Sequence, residues 1–159
     1  MNSFALLTLS VFALKISIED LRNFRIRNRD LLILTAFLLV ISLINGNFLP
    51  QIVSGFIFLC IFGFIHMLSM AFSNQPGIGF GDIKLMTVLA FGLIDTGIRS
   101  IEIYFLSLCC AIFLQMSLLY LHQRKFPMRM AMAPSIFFAV GLYLYAPMGL
   151  LLPLSLIHI

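Results

Sequence analysis

The sequence predicts an all-α polytopic membrane protein, and three observations carry the prediction. Hydrophobic residues make up 62% of the 159 and charged residues only 10%, too few charges to cover the surface of a soluble domain of this size. Mean hydropathy is +1.10. The apolar residues also gather into six segments separated by polar or turn-forming stretches. No stretch reads as a water-exposed domain, so residues 1–159 are expected to form one membrane-embedded unit.

Segment one runs from about Phe4 to Ile18. It has no basic region before it and no small-residue cleavage site after it, so it is expected to stay in place rather than act as a removable signal. Arg22, Arg25, Arg27 and Arg29 follow; this cluster fixes that end in the cytoplasm and leaves the N-terminus outside. Lys15 lies within a turn of the boundary, where its stem can snorkel to the interface. Segment two, Leu31 to about Leu49, is interrupted by Asn45-Gly46-Asn47 and closed by Pro50. Segment three, Ile52 to Phe72, is long enough to span, and Ser73-Asn74-Gln75-Pro76-Gly77 makes a turn after it. Segments four, five and six are Ile83 to about Ile94, Ile101 to Leu121, and about Ala133 to Ile157, the last with Pro147 and Pro153 near its far end.

Segment four is short. At about 1.5 Å per residue its length reaches only about 18 Å, against a hydrocarbon core of roughly 30 Å. It either turns back or spans with help from its flanks and a thinned bilayer. Charge bias favours spanning, because Arg124, Lys125 and Arg129 then join the first arginine cluster in the cytoplasm. Six crossings follow. They place Asp20, at the end of segment one, and Asp82, at the start of segment four, at similar depth near the inner surface.

Acids at a bilayer edge are costly and usually functional. Two carboxylates close together tend to share one proton at neutral pH. One then activates a trapped water while the other donates a proton to a scissile carbonyl, and the pair titrates as a unit. This chemistry calls for no cofactor and no metal. Gly79 and Gly81, on either side of Phe80, lack a Cβ and so allow close approach or a positive φ. Lys84 either snorkels or holds a nearby negative charge. Each acid also has an ordinary reading: Asp82 as the N-cap of segment four, and Asp20, with Glu19 beside it, as an interfacial charge.

Gly79-Phe80-Gly81-Asp82-Ile83-Lys84-Leu85 resembles the GxGDxKL signature of the type IV prepilin peptidases, a GxGD class of intramembrane aspartyl proteases. Asp20-Leu21-Arg22-Asn23-Phe24-Arg25-Ile26-Arg27-Asn28 is similar to that family's first motif, D-x-R-x-x-x-I-P-N, with Arg27 in place of the proline and a turn expected to be less rigid. Met130-Ala131-Met132-Ala133-Pro134-Ser135 is similar to the start of its last helix. The resemblance covers essentially the whole chain. It implies that Asp20 and Asp82 are the catalytic pair, with Gly79, Gly81, Lys84, Arg22 and Asn28 as supporting motif residues. It further implies a multi-pass enzyme of the bacterial inner membrane whose active site faces the cytoplasm. The substrate would be a prepilin or pseudopilin that loses a short basic leader. The chain resembles the short, dedicated peptidases of tight-adherence pilus or secretion systems, without the N-terminal zinc-binding domain, so methylation of the new N-terminus is not expected.

Other classes fit less well. The net charge of +4 lies mostly in inter-segment loops, as topology signals do, so no nucleic-acid partner is expected; the lipid bilayer is. Cys60, Cys109 and Cys110 fall within apolar runs with no C-x-x-C pair and no histidine at ligand spacing, and read as packing residues. His66 reads as bonded to a neighbouring helix. A small transporter or channel would want ionisable residues in the membrane interior, where segments two, five and six offer almost none. A non-catalytic scaffold of a secretion machine has only Arg27 as its hint. Oligomeric state is not readable from the sequence.

Overall fold

The computed structural model of the chain describes residues 3–46, 48–73, 78–124 and 130–145. These form six α-helices and, among the described residues, no strand: α1 Ser3–Asn23, α2 Asn28–Ile44, α3 Phe48–Ser73, α4 Phe80–Leu93, α5 Ile98–Gln123 and α6 Ala133–Tyr145. The turn at 74–77, Lys125, Arg129 and the part of segment six beyond Tyr145 lie outside them.

Three boundaries differ from the expectation, each for a local reason. The first helix continues past Ile18 through Glu19, Asp20 and Arg22, because nothing there opposes a helix until Phe24 takes up φ 50 and its amide closes on the Asp20 carbonyl at 2.8 Å. Pro50 opens α3 rather than closing α2. In a first turn its missing N–H has no intrahelical acceptor to lose, and the break falls at Asn45 and Gly46, where Gly46 has φ +70. Finally, α4 begins at Phe80, so Gly81 and Asp82 are helical.

α3 and α5 are long and apolar enough to cross a membrane. Only 22% and 17% of their most apolar windows is buried inside the protein, far less than in the core helix of a soluble domain. Large apolar side chains such as Phe56, Met67, Phe113 and Leu121 face outward. Short α4 takes the opposite position. It sits between α2, α3 and α6, and Ile83, Leu85, Met86, Leu89 and Ala90 are all buried.

Close approach is possible because of small residues, as expected where lipid replaces water as the competitor for side chains. A Cβ on Gly55 of α3 would lie 3.1 Å from Phe91 Cβ, and one on Gly92 of α4 would lie 2.7 Å from Leu38 of α2. α3 and α5 meet instead through stacked and edge-on rings of Phe58, Phe62, Tyr104 and Phe105. The three cysteines are free and lie on the outer surface. Their thiols therefore do not pack the core as the apolar runs around them suggested.

Candidate active site

Asp20 lies one turn before the end of α1 and is only 4% exposed. Its Oδ2 accepts the Ala133 amide at 2.9 Å, and the Met132 amide donates to the same carboxylate. These amides are available because the first N–H groups of a helix have no partner within it, and Asp20 serves α6 as a capping acid from another helix. Gln115 of α5 holds the receiving segment in place. Its Nε2 donates to the Ala131 carbonyl at 2.8 Å, and the Ser135 hydroxyl donates to its Oε1.

Asp82 is the third residue of α4. The N-cap is Gly79, with φ −66 and ψ 140, and Asp82 is not the cap itself. Its carboxylate reaches back to accept the Gly79 amide, as the third-position acid of a capping box does. A Cβ on Gly79 would sit 2.8 Å from Asp82 Oδ2, so a side chain there would displace the carboxylate, while the backbone itself would accept it. Gly81 is less constrained, since its Cβ would meet Ile26 at an ordinary 3.5 Å. Neither glycine uses the positive φ that sequence alone allowed. His66 of α3 donates from Nδ1 to the Ile78 carbonyl at 3.0 Å and fixes the chain just before this motif.

The two acids come from helices far apart in sequence and lie within electrostatic reach of each other. Both stand outside the apolar stretches, Asp20 past Ile18 and Asp82 before Ile83. Burial pushes the Asp82 carboxyl up to about 6, and the charge of Asp20 adds to the shift, while the Gly79 amide opposes it. Burial also raises Asp20, opposed by the amides of Ala133 and Met132. The negative form is thus better supported on Asp20, and a shared proton sits more favourably on Asp82.

The other motif residues play different parts. Lys84 donates to Asn28 Oδ1 at 3.2 Å and lies 4.8 Å from the Phe80 ring centroid, so it ties α4 to α2 and neutralises neither acid. Arg22 is exposed in the last turn of α1, where a cation complements the helix dipole. Lys15 does not simply snorkel: it pairs with buried Asp30 at 2.6 Å, which holds that carboxyl below its usual range despite burial. Arg27 pairs with Glu19. Among the described residues no three His, Cys, Asp or Glu side chains converge to hold a metal ion.

The sequence profile of the type IV leader peptidase family matches residues 7–119, more than half of the chain and inclusive of both aspartates. The chain belongs to the type IV leader peptidase family. No curated protein and no solved structure matches it. This family is a family of proteases. The matched span ends within α5, while the amides that hold Asp20 belong to residues 132 and 133. Sequence reasoning missed Gln115, whose only signal was an amide alone in an apolar run. It also missed the ion pairs Glu19–Arg27 and Lys15–Asp30, which are a matter of helix facing.

Proposed function

We propose that this leader peptidase is an aspartic endopeptidase that removes the short basic leader of prepilins or pseudopilins, with Asp20 and Asp82 as its catalytic pair. The observation that carries the reading is the mutual electrostatic reach of two desolvated carboxylates at one end of the helices. Asp20, whose negative form two amides support against burial, draws a proton from a water lying between the carboxylates. Asp82, carrying the shared proton, donates to the carbonyl oxygen of the scissile bond, and the roles reverse as the amine leaves. No cofactor takes part.

In the same reading all six helices cross the bacterial inner membrane, with the N-terminus outside and the acids at the cytoplasmic face. The arginines at 22, 25, 27 and 29, together with Lys84 and Arg124, then lie on the cytoplasmic side, as the positive-inside tendency requires. A substrate helix parked in the bilayer presents its leader at the level of both acids.

The test is co-expression with a cognate prepilin, read as a gel shift. Asp20→Asn and Asp82→Asn should each abolish leader removal while the protein still inserts. Normal processing by either variant ends the proposal, as does labelling that puts positions 20 and 82 on opposite faces of the membrane.

A further inference from the structure

The loop between α1 and α2 touches the neighbourhood of both acids. At one end is Glu19, adjacent to Asp20, with its side chain 14% exposed and paired to the Arg27 guanidinium. Near the other end Ile26 faces Gly81, the residue before Asp82, with 3.5 Å between Ile26 Cβ and an ideal Cβ at position 81. Between them Phe24 holds a left-handed φ of 50, a conformation a bulky side chain keeps only when its surroundings impose it. A cavity of about 520 Å³ is bounded by Glu19, Asn23, Arg25, Ile26 and Arg27, so packing alone does not fix the loop.

We infer that the Glu19–Arg27 ion pair is a positioning strap: by closing the loop it holds Ile26 against Gly81 and so sets the spacing between Asp20 and Asp82. The inference rests on the proposed function for its catalytic meaning. Neither residue of the strap touches substrate. Glu19 is shielded, and the Arg27 side chain, 69% exposed, reaches it from the surface with the guanidinium's fixed donor geometry. Removing Arg27 would leave the Glu19 carboxylate, next to Asp20 in sequence, without its guanidinium partner.

The backbone offers a second way to close the same turn. Arg27 has φ −74 and ψ 129, within the range a proline ring imposes, and its amide donates to no backbone carbonyl among the described residues. Arg27→Pro should therefore restore by ring constraint what Arg27→Ala removes.

Cross-linking reads the strap without reference to catalysis. With Cys60, Cys109 and Cys110 replaced by serine, the pair Ile26→Cys and Gly81→Cys has a Cβ separation suited to a disulfide. It should oxidise readily in the membrane. Adding Arg27→Ala should slow oxidation about tenfold, and either Arg27→Pro or the exchange Glu19→Arg with Arg27→Glu should restore it. In the cysteine-bearing native sequence, Arg27→Ala should lower kcat for leader cleavage about tenfold with KM within about twofold, and the same two variants should recover it. A cross-linking rate indifferent to Arg27→Ala, or slowed and restored by neither rescue, overturns the strap. Cross-linking slowed by Arg27→Ala and restored as expected, with kcat unmoved throughout, instead counts against the catalytic assignment alone.

Discussion

Gly79→Ala is the smallest change expected to disable the proposed site. Its added Cβ would lie 2.8 Å from Asp82 Oδ2, and ordinary contact begins near 3.4 Å, so the carboxylate must withdraw by about 0.6 Å. Withdrawal also weakens the hydrogen bond from the Gly79 amide, an interaction whose net worth is about 0.5–1.5 kcal/mol when fully lost. The backbone offers no objection, because φ −66 and ψ 140 suit alanine. Replacing glycine by alanine at an N-cap costs no more than about 1 kcal/mol in stability. The protein should therefore insert and fold, and the loss should appear in the reaction. A displacement of this order at a group that must address the scissile carbonyl is worth about 100-fold in kcat, or about 2.7 kcal/mol of barrier. The assay is kcat on a synthetic leader peptide with purified enzyme, alongside unfolding in the same detergent. Gly81→Ala is the control, since its Cβ meets Ile26 at ordinary distance, and it should lose less. A Gly79→Ala enzyme within twofold of the parent would refute the reasoning, because Asp82 would then not need the position it holds.

Asp82→Asn should stabilise the protein as it inactivates it, and the gain should depend on pH. The folded-state pKa is raised from 3.8 to about 6, so between those values the folded protein binds more protons than the unfolded chain. Parent stability then falls as pH rises through that window and is flat above it. Relative to the parent, the Asn variant should gain up to about 3 kcal/mol by pH 7 and gain nothing at pH 3; a pH-independent difference would contradict the partly buried placement of Asp82 near Asp20. Gln115→Leu suits the apolar run of α5 but removes both bonds to the start of α6. It should insert normally and lose about tenfold in kcat through Asp20, and unaltered kinetics would mean that residues 131–135 are held by something else.

The helices were legible because their signal is composition and length, which need no partner. α3 and α5 could be read within a few residues, and α4 was recognised as short and as the bearer of the acid. Boundaries failed where a residue's role depends on which side of a break it stands. Pro50 is equally at home after a helix and in the first turn of one, and Phe24 ends α1 in a conformation that its sequence neighbours do not advertise. Charge bias, by counting crossings, gave Asp20 and Asp82 an expected depth, but it carried no sign of their lateral approach. That approach depends on how α4 is enclosed by α2, α3 and α6.

What the sequence hid most fully is how the two acids are held. Asp20 is fixed from α6 by backbone amides, which carry no residue identity, so no motif could announce them. Asp82 is fixed by the Gly79 amide and by the absence of a Cβ there, and His66 steadies the carbonyl just upstream. Each acid is thus held chiefly by backbone groups. Arg27 shows the same logic from the side-chain direction. It stands where the resembled motif has proline, keeps a proline-like φ, and adds an ion pair to Glu19. A turn expected to be looser is therefore closed by charge, and the departure from the motif changes the fastening while Asp20 and Asp82 stay within electrostatic reach of each other.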